Sequence, residues 1–206
     1  MSLATLTFKF YTDTSLTSAF SNLYQLTHKT DLSDNPQTFT LYFGSATANR
    51  LLQASSNPGV DQITLTPTKI LPVWTANTVY TLGQTRSPTV DNTYRYEITT
   101  AGTSHATTEP TWPTGAIGNT VVDGSCIWTL VSKEHPITEI KLALTEGGLT
   151  GATAGAALNL GTSISSLAAN KVTVWMKVTN SVTTVESNTG TPEIGLYINA
   201  VQESAV

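Results

Sequence analysis

Residues that could carry out catalysis are few and scattered along the chain. His28, His105 and His135 stand alone, without the H-x-x-x-H spacing or the neighbouring carboxylates of a metal site. No nucleophile elbow, phosphate-binding loop or dinucleotide fingerprint occurs, and no acidic cluster of the calcium-loop type. Glu97 and Glu109 flank an aromatic stretch, and paired carboxylates can hydrolyse glycosides, but their positions indicate a solvated strand face and a loop. The sequence therefore predicts no catalytic residue, no metal site and no cofactor.

Aromatic side chains form the one constellation with a functional alternative. They crowd into residues 74–128, which reads as a small β-module, and a unit of about 50 residues needs large rings to bury enough surface. In one interpretation Trp74, Trp128, Tyr80 and one further Tyr form a mini-core. In the other, exposed rings stack on sugars or contact a partner, and the candidate contact residues are Trp112, Tyr80, Tyr94 and Tyr96. Trp112, between two prolines in E-P-T-W-P, is the best candidate for an exposed ring.

Composition predicts an all-β protein. Only 12% of the residues are charged, about half the usual share, and Thr is the commonest residue, with Ser, Val and Gly also abundant. Thr and Val are β-branched residues that suit a pleated, half-buried surface and form helices poorly. Cys126 is the single cysteine, so no intrachain disulfide is expected, and it reads as a small buried hydrophobe.

Charge and hydropathy disfavour several classes of partner. The net charge of −4 and the scattered Lys and Arg residues predict no nucleic-acid binding, which requires a basic patch. The sequence contains no apolar stretch of 18 residues, so it predicts no membrane span. The start of the chain lacks the features of a signal peptide. We therefore expect a protein that is folded in a cytoplasm.

Strand signals recur on both sides of the aromatic stretch. Period-two alternation predicts a half-buried strand, and Pro67 predicts an edge position or a strand end because proline cannot donate to a ladder. Alternation in 137–144 places Glu139 and Lys141 outside, and Asp123-Gly124 is the strongest hairpin signal. The predicted strands outside the module are 3–11, 37–44, 60–71, 137–144, 157–160, 171–178 and 193–201.

Neither outer segment has enough strands to close a two-sheet core by itself. We therefore predict an Ig-like β-sandwich built from 1–73 and 133–206 together, with 74–132 inserted as a small aromatic-rich β-module. Insertions are tolerated where the host chain ends at that site are close and exposed. Three small domains in tandem are the alternative arrangement.

Two resemblances extend these predictions to function. The pattern W-x-x-x-x-x-Y-x-x-G from Trp74 to Gly83, followed by two Tyr and a Trp, resembles small chitin- and cellulose-binding modules. The pattern G-T-S…E-P-x-W-P…D-G…W from Gly102 to Trp128 is similar to inserts in structural proteins of tailed bacteriophages. Stretches of the outer segments resemble phage virion proteins as well: F-Y-T-D-T-S-L, T-L-Y-F-G-S, I-T-E-I-K-L-A-L and K-V-T-V-W-M-K-V.

The phage resemblance implies a non-enzymatic virion component that is assembled in the bacterial host cytoplasm. We expect a head-decoration (cement) protein that binds neighbouring capsid subunits and displays the module outward. The alternatives are a tail or baseplate subunit, or a carbohydrate-binding accessory module. The implied partners are other phage virion proteins, further copies of the chain in a symmetric array, and surface polysaccharide.

Overall fold

The computed structural model describes residues 6–20, 29, 31–182 and 192–206. Strands dominate this part of the chain, and its helices are short 3-10 turns at Ile137–Glu139, Gly147–Leu149 and Ala168–Asn170. The strands are β1 (Lys9–Tyr11), β2 (Gln37–Gly44), β3 (Arg50–Ala54), β4 (Ile63–Lys69), β5 (Val79–Tyr80), β6 (Thr85–Arg86), β7 (Tyr94–Thr100), β8 (Gly102–Thr103), β9 (Thr120–Asp123), β10 (Cys126–Lys133), β11 (Ile140–Ala143), β12 (Leu158–Gly161), β13 (Ser163–Ser165), β14 (Val172–Val178), β15 (Ile194–Ile198) and β16 (Val201–Ala205).

The first sheet joins the two outer segments of the chain. Its antiparallel order is β1-β2-β14-β11, and β2 pairs with β14 along seven positions, from Gln37 opposite Val178 to Phe43 opposite Val172. The alternating apolar residues of both strands face inward, as their period of two requires. A strand from before the module and a strand from after it are therefore neighbours in one sheet.

The opposite layer consists of two three-stranded sheets, with the orders β12-β4-β15 and β13-β3-β16. Each sheet again takes strands from both outer segments, and β12 runs almost directly into β13, as β15 does into β16. Gly161, with φ +118°, lies at the first of these bends. Strands that switch sheets at a bend are how orthogonal β packings form their corners.

A single apolar core fills the space between these layers. The first sheet contributes Phe43 and Val174 and the opposite layer contributes Leu52, Leu65 and Ile198, all buried. The all-β sandwich predicted from the sequence is confirmed.

The aromatic segment forms sheets of its own. Its larger sheet has the order β6-β7-β10-β9, and β5 pairs with β8 beside it. The β9–β10 hairpin closes with Asp123 opposite Cys126, so the central residues of its turn are Gly124 and Ser125. Gly124 has φ +60°, and a Cβ added there would lie 2.3 Å from the Thr103 carbonyl oxygen. The turn therefore requires glycine for its conformation and for its close packing.

Some sequence interpretations need correction. Glu139 is buried, because it accepts hydrogen bonds at the base of the module, as described below. Pro67 lies in β4, a central strand, but β12 pairs only with the stretch from Ile63 to Leu65, so the proline lies beyond its end. The missing N–H therefore removes no ladder bond on that side. Residues 3–5 of the predicted first strand and His28 lie outside the described residues.

Candidate functional site: the aromatic module and its charged base

A buried carboxylate organises the interior of the module. One oxygen of Asp123, Oδ2, accepts the indole N–H of Trp74 at 2.7 Å and that of Trp128 at 2.9 Å. The other oxygen accepts the backbone N–H of His105 at 2.7 Å. Three donors from separate loops and strands therefore converge on one turn residue, which fixes the turn relative to both Trp rings.

Cys126 lies beside this carboxylate and is fully buried. Its Sγ donates to the Asp123 carbonyl oxygen at 2.9 Å. Burial, together with the negative charge of Asp123, raises the pKa of the Cys126 thiol to about 11. A thiol with so little thiolate character is a packing residue and a poor nucleophile.

Two of the four predicted contact residues belong to the module core, which corrects their assignment as surface contacts. Tyr80 is 1% exposed and packs edge-on against Trp128 with ring centroids 4.8 Å apart. Tyr96 is fully buried, and its hydroxyl donates to the Pro113 carbonyl oxygen at 2.6 Å and accepts from Asn92 Nδ2 at 2.7 Å. Burial raises the pKa of Tyr96. Neither ring offers a face on which a sugar could stack.

Trp112 is different, because its ring is held by the core yet remains partly exposed. It lies 4.4 Å from the Tyr96 ring and 5.5 Å from the Trp128 ring, centroid to centroid. Its indole N–H donates to Glu109 Oε1 at 2.7 Å, and the same carboxylate accepts from Thr89. These contacts within the module fix the orientation of the ring.

Tyr94, the fourth predicted contact residue, is half-buried and packs against the same aromatic core. Trp112 and Tyr94 are therefore the predicted contact residues that keep solvent-exposed surface.

The arrangement of Glu109 also bears on catalysis, since its carboxylate accepts hydrogen bonds from the Trp112 indole and from Thr89. It acts as a structural acceptor in this geometry.

A chain of charged side chains connects the module to the sandwich. Arg95 of β7 and Glu193, the residue before β15, form a buried pair with Nη1 and Oε1 2.6 Å apart. The second oxygen of Glu193 accepts the backbone N–H of His135 at 2.8 Å. The ring of His135 bonds Glu139 at 2.8 Å, and Glu139 also accepts from the backbone and hydroxyl of Ser181.

A second ionic group extends this base. Lys69, at the end of β4, bonds the buried carboxylate of Glu134 and lies 3.1 Å from Asp91 of the module. The backbone N–H of Glu134 donates to the Thr93 carbonyl oxygen, which ties the same corner together. We refer to the six side chains that link module and sandwich here as the charged base: Lys69, Asp91, Arg95, Glu134, Glu139 and Glu193.

Electrostatics in the charged base differ from one carboxylate to the next. Burial raises the pKa of Glu134, even though Lys69 favours its ionised form. Burial also acts on Glu139, but hydrogen bonds from His135 and Ser181 outweigh it and hold the pKa of that carboxyl below its ordinary value. The pKa of Lys69 is raised, because hydrogen bonds to Glu134 and Asp91 outweigh its desolvation. The pKa of each group in the charged base is therefore set by the balance between its burial and the partners that it bonds.

Within the described ranges, no group of three or more His, Cys, Asp or Glu side chains is arranged to hold a metal ion. In the same part of the chain, no helix combines the length and apolar character needed to cross a bilayer. Comparison with protein-family models, with curated proteins and with solved structures found no match to this chain. The two sequence resemblances therefore stay predictions.

Sequence reasoning missed the charged base entirely. The two members of its buried ion pair lie far apart in the chain, with Arg95 and Glu193 separated by 98 positions. Period-two alternation with Tyr94 and Tyr96 places Arg95 on the other face of β7, which reads as a solvent-exposed position. The burial of Arg95 therefore cannot be predicted from the sequence pattern.

Proposed function

We propose that this chain is a non-enzymatic structural protein of a tailed-phage virion, in which the sandwich attaches the subunit and the module is displayed. The observation that carries the proposal is the Arg95–Glu193 pair and its continuation through His135 to Glu139. A displayed module must keep a fixed direction relative to its anchor, and buried, hydrogen-bonded ion pairs tolerate little displacement. The sequence resemblances to phage virion proteins support the same class.

We favour a head-decoration role. A cement protein binds neighbouring capsid subunits in many identical copies, so it requires an anchoring domain with extensive strand surface and few charges that repel one another. In this proposal the sandwich, formed by the two outer segments of the chain, supplies that domain, and the inserted module is the part that is displayed. The expected partners are other phage virion proteins and further copies of this chain, and the expected location is the virion.

Binding to capsids tests this role. Purified protein is mixed with expanded empty capsids of the phage that encodes it, and separately with isolated tails, and each mixture is sedimented. The decoration role predicts saturable binding to capsids and none to tails. A Trp112→Ala variant should bind capsids equally well, because the proposed contact is made by the sandwich. Binding to tails alone would move the protein to the tail or baseplate class.

Carbohydrate binding is the second candidate, favoured by the pre-oriented and partly exposed ring of Trp112. The apolar face of a pyranose stacks on such a ring while its hydroxyls bond polar neighbours. Here Trp112→Ala should abolish retention on a chitin or cellulose column, while Trp112→Phe retains part of it. Near-ultraviolet circular dichroism would verify that both variants are folded. Equal retention of wild type and Trp112→Ala would remove this candidate.

A further inference from the structure

The strand β15 leaves one edge of the sandwich open. It pairs with β4 on one side and has no strand on its other side within the described part of the chain. Its sequence is I-G-L-Y-I, with Ile198 buried and the other side chains partly or largely exposed. An open edge presents backbone donors and acceptors that can pair with another chain.

The direction of these backbone groups follows from the β4 ladder. Ile70 N donates to the Glu193 carbonyl oxygen at 2.8 Å, and Asn199 N donates to the Thr64 carbonyl oxygen at 3.2 Å. Backbone groups alternate between the two sides of a strand, so the odd-numbered positions of β15 face β4. Ile194, Leu196 and Ile198 therefore direct their N–H and C=O groups to the open side.

The other sheet edges of the described chain carry features that discourage pairing, and β15 carries none of them. Charged residues, bulges and very short strands are the usual protections. Five edge strands carry a charged residue: β1 has Lys9, β11 has Lys141, β6 has Arg86, β9 has Asp123 and β16 has Glu203. The edge strand β12 has a register shift. The edge strands β5, β8 and β13 are two or three residues long. Glu203 also accepts hydrogen bonds from the backbone and hydroxyl of Thr7, so β16 has a neighbour on its edge.

The outward face of β15 carries a complementary pair of features. Tyr197 is 56% exposed, and Gly195, two positions earlier on the same face, has no side chain. Ile70, 43% exposed, lies over Gly195, because a Cβ added to that glycine would be 2.9 Å from Ile70 Cγ2. An aromatic ring placed opposite a strand glycine covers the backbone that the glycine leaves bare.

We propose that two copies of this chain pair antiparallel through β15, with Leu196 on the twofold axis. Ile194 of each copy then lies opposite Ile198 of the other, and their outward backbone groups form a continuous ladder across both sheets. In this register Tyr197 of one copy lies opposite Gly195 of the other and packs against its Ile70. The contact is isologous, because each copy supplies both the ring and the glycine.

Charge permits a second copy as the occupant, and the self-complementary arrangement of Tyr197 and Gly195 favours it. The chain carries a net charge of −4, so two copies repel one another on most approaches. The stretch from Ile194 to Ile198 is uncharged, which allows close contact without that penalty. Five paired residues bury less than a standard interface, so the expected dissociation constant is on the order of 10 µM. The proposal does not depend on a role in the virion.

Sedimentation velocity of the whole chain tests the pairing over a range from about 1 µM to about 500 µM. Wild type should shift from monomer to dimer within this range. Tyr197→Lys should weaken dimerisation about 100-fold, because a lysine replaces the ring at both symmetric contacts and two like charges enter one interface. Tyr197→Phe should dimerise like the wild type. Val79→Lys is the matched control, since Val79 is a 72% exposed apolar residue on the module and its change alters the charge equally.

The results separate cleanly. Loss of the dimer in Tyr197→Lys but not in Val79→Lys, with unchanged far-ultraviolet circular dichroism in both, supports pairing through β15. A wild type that stays monomeric at every concentration overturns the proposal. A dimer that survives Tyr197→Lys also overturns it, because the contact must then lie elsewhere on the surface.

Discussion

The guanidinium of Arg95 and the carboxylate of Glu193 lie 2.6 Å apart, and both side chains are buried. Arg95 lies in β7, a central strand of the aromatic module, whereas Glu193 immediately precedes β15 of the sandwich. Two strands that are distant in sequence and belong to different sheets are thus joined by a desolvated ion pair. The module is held to its host by specific charge pairing in addition to the covalent connections at residues near 74 and 133.

Removing one member of this pair should be strongly destabilising. Arg95→Met leaves Glu193 buried without its main cation, and breaking a buried pair typically costs about 3–5 kcal/mol. Urea denaturation followed by circular dichroism measures the loss. The double variant Arg95→Met, Glu193→Leu should recover most of it, because no unpaired charge then remains. A single variant that loses less than about 1 kcal/mol would contradict a structural role for the pair.

The shared acceptor of the two tryptophans gives a second prediction. Asp123→Asn leaves a single acceptor oxygen where three N–H donors converge, so a buried donor loses its partner. The expected cost is about 1–3 kcal/mol, with a red shift of the tryptophan fluorescence of the folded protein. Asp31→Asn is the control, because Asp31 is exposed and accepts a hydrogen bond from the Ser33 backbone in its local turn. Equal stability of the two variants would contradict the convergence at Asp123.

The charged base should make stability depend on pH in a residue-specific way. The lowered pKa of Glu139 contributes stability that is present above its ordinary value of 4.5 and is lost as pH falls through the folded pKa. Glu134 acts in the opposite sense, because its raised folded pKa adds stability as pH falls. Between about pH 6 and about pH 3, Glu139→Gln should therefore lose less stability than wild type, and Glu134→Gln should lose more.

Urea midpoints at several pH values in that window provide the measurement. Parallel pH profiles for wild type and Glu139→Gln would show that Glu139 gains nothing from His135 and Ser181 in the folded state. The carboxyl would then have to be ionised equally easily in both states.

Cys126 should be chemically silent in the native protein. Its thiol is buried and has a pKa of about 11, so at pH 8 only roughly one thiol in a thousand is ionised. A disulfide reagent added at pH 8 should react only after denaturant is added, with one equivalent of thiol released. Reaction within minutes in the native state would mean that the β9–β10 hairpin opens readily.

Much of the sandwich was readable from the sequence, because alternation reports which face of a strand is buried. The predicted strand 37–44 coincides with β2, and 171–178 differs from β14 by one residue. The strands that were missed, β3, β13 and β16, are short or polar, so their apolar residues do not form a repeat long enough to detect. Their burial depends on partners far away in the chain.

The site was less readable, because aromatic residues have the same pattern whether they form a core or a surface. Tyr80 and Tyr96 satisfy their hydroxyls with backbone carbonyl oxygens, at Thr75 and Pro113, and this pairing allows both rings to be buried. No spacing in the sequence announces such bonds. Trp112, in contrast, is partly exposed as its two flanking prolines indicate, since they keep its loop out of the sheets.

Electron microscopy of virions labelled with an antibody against residues 74–132 tests the proposed role most directly. The virions come from the phage whose genome encodes the chain, and virions from a deletion mutant are the control for specificity. A decoration protein with an outward module predicts regular label over the head and none on the mutant. Label at the tail tip would contradict head decoration. If intact virions carry no label and mass spectrometry does not find the protein in them, a virion role is contradicted altogether.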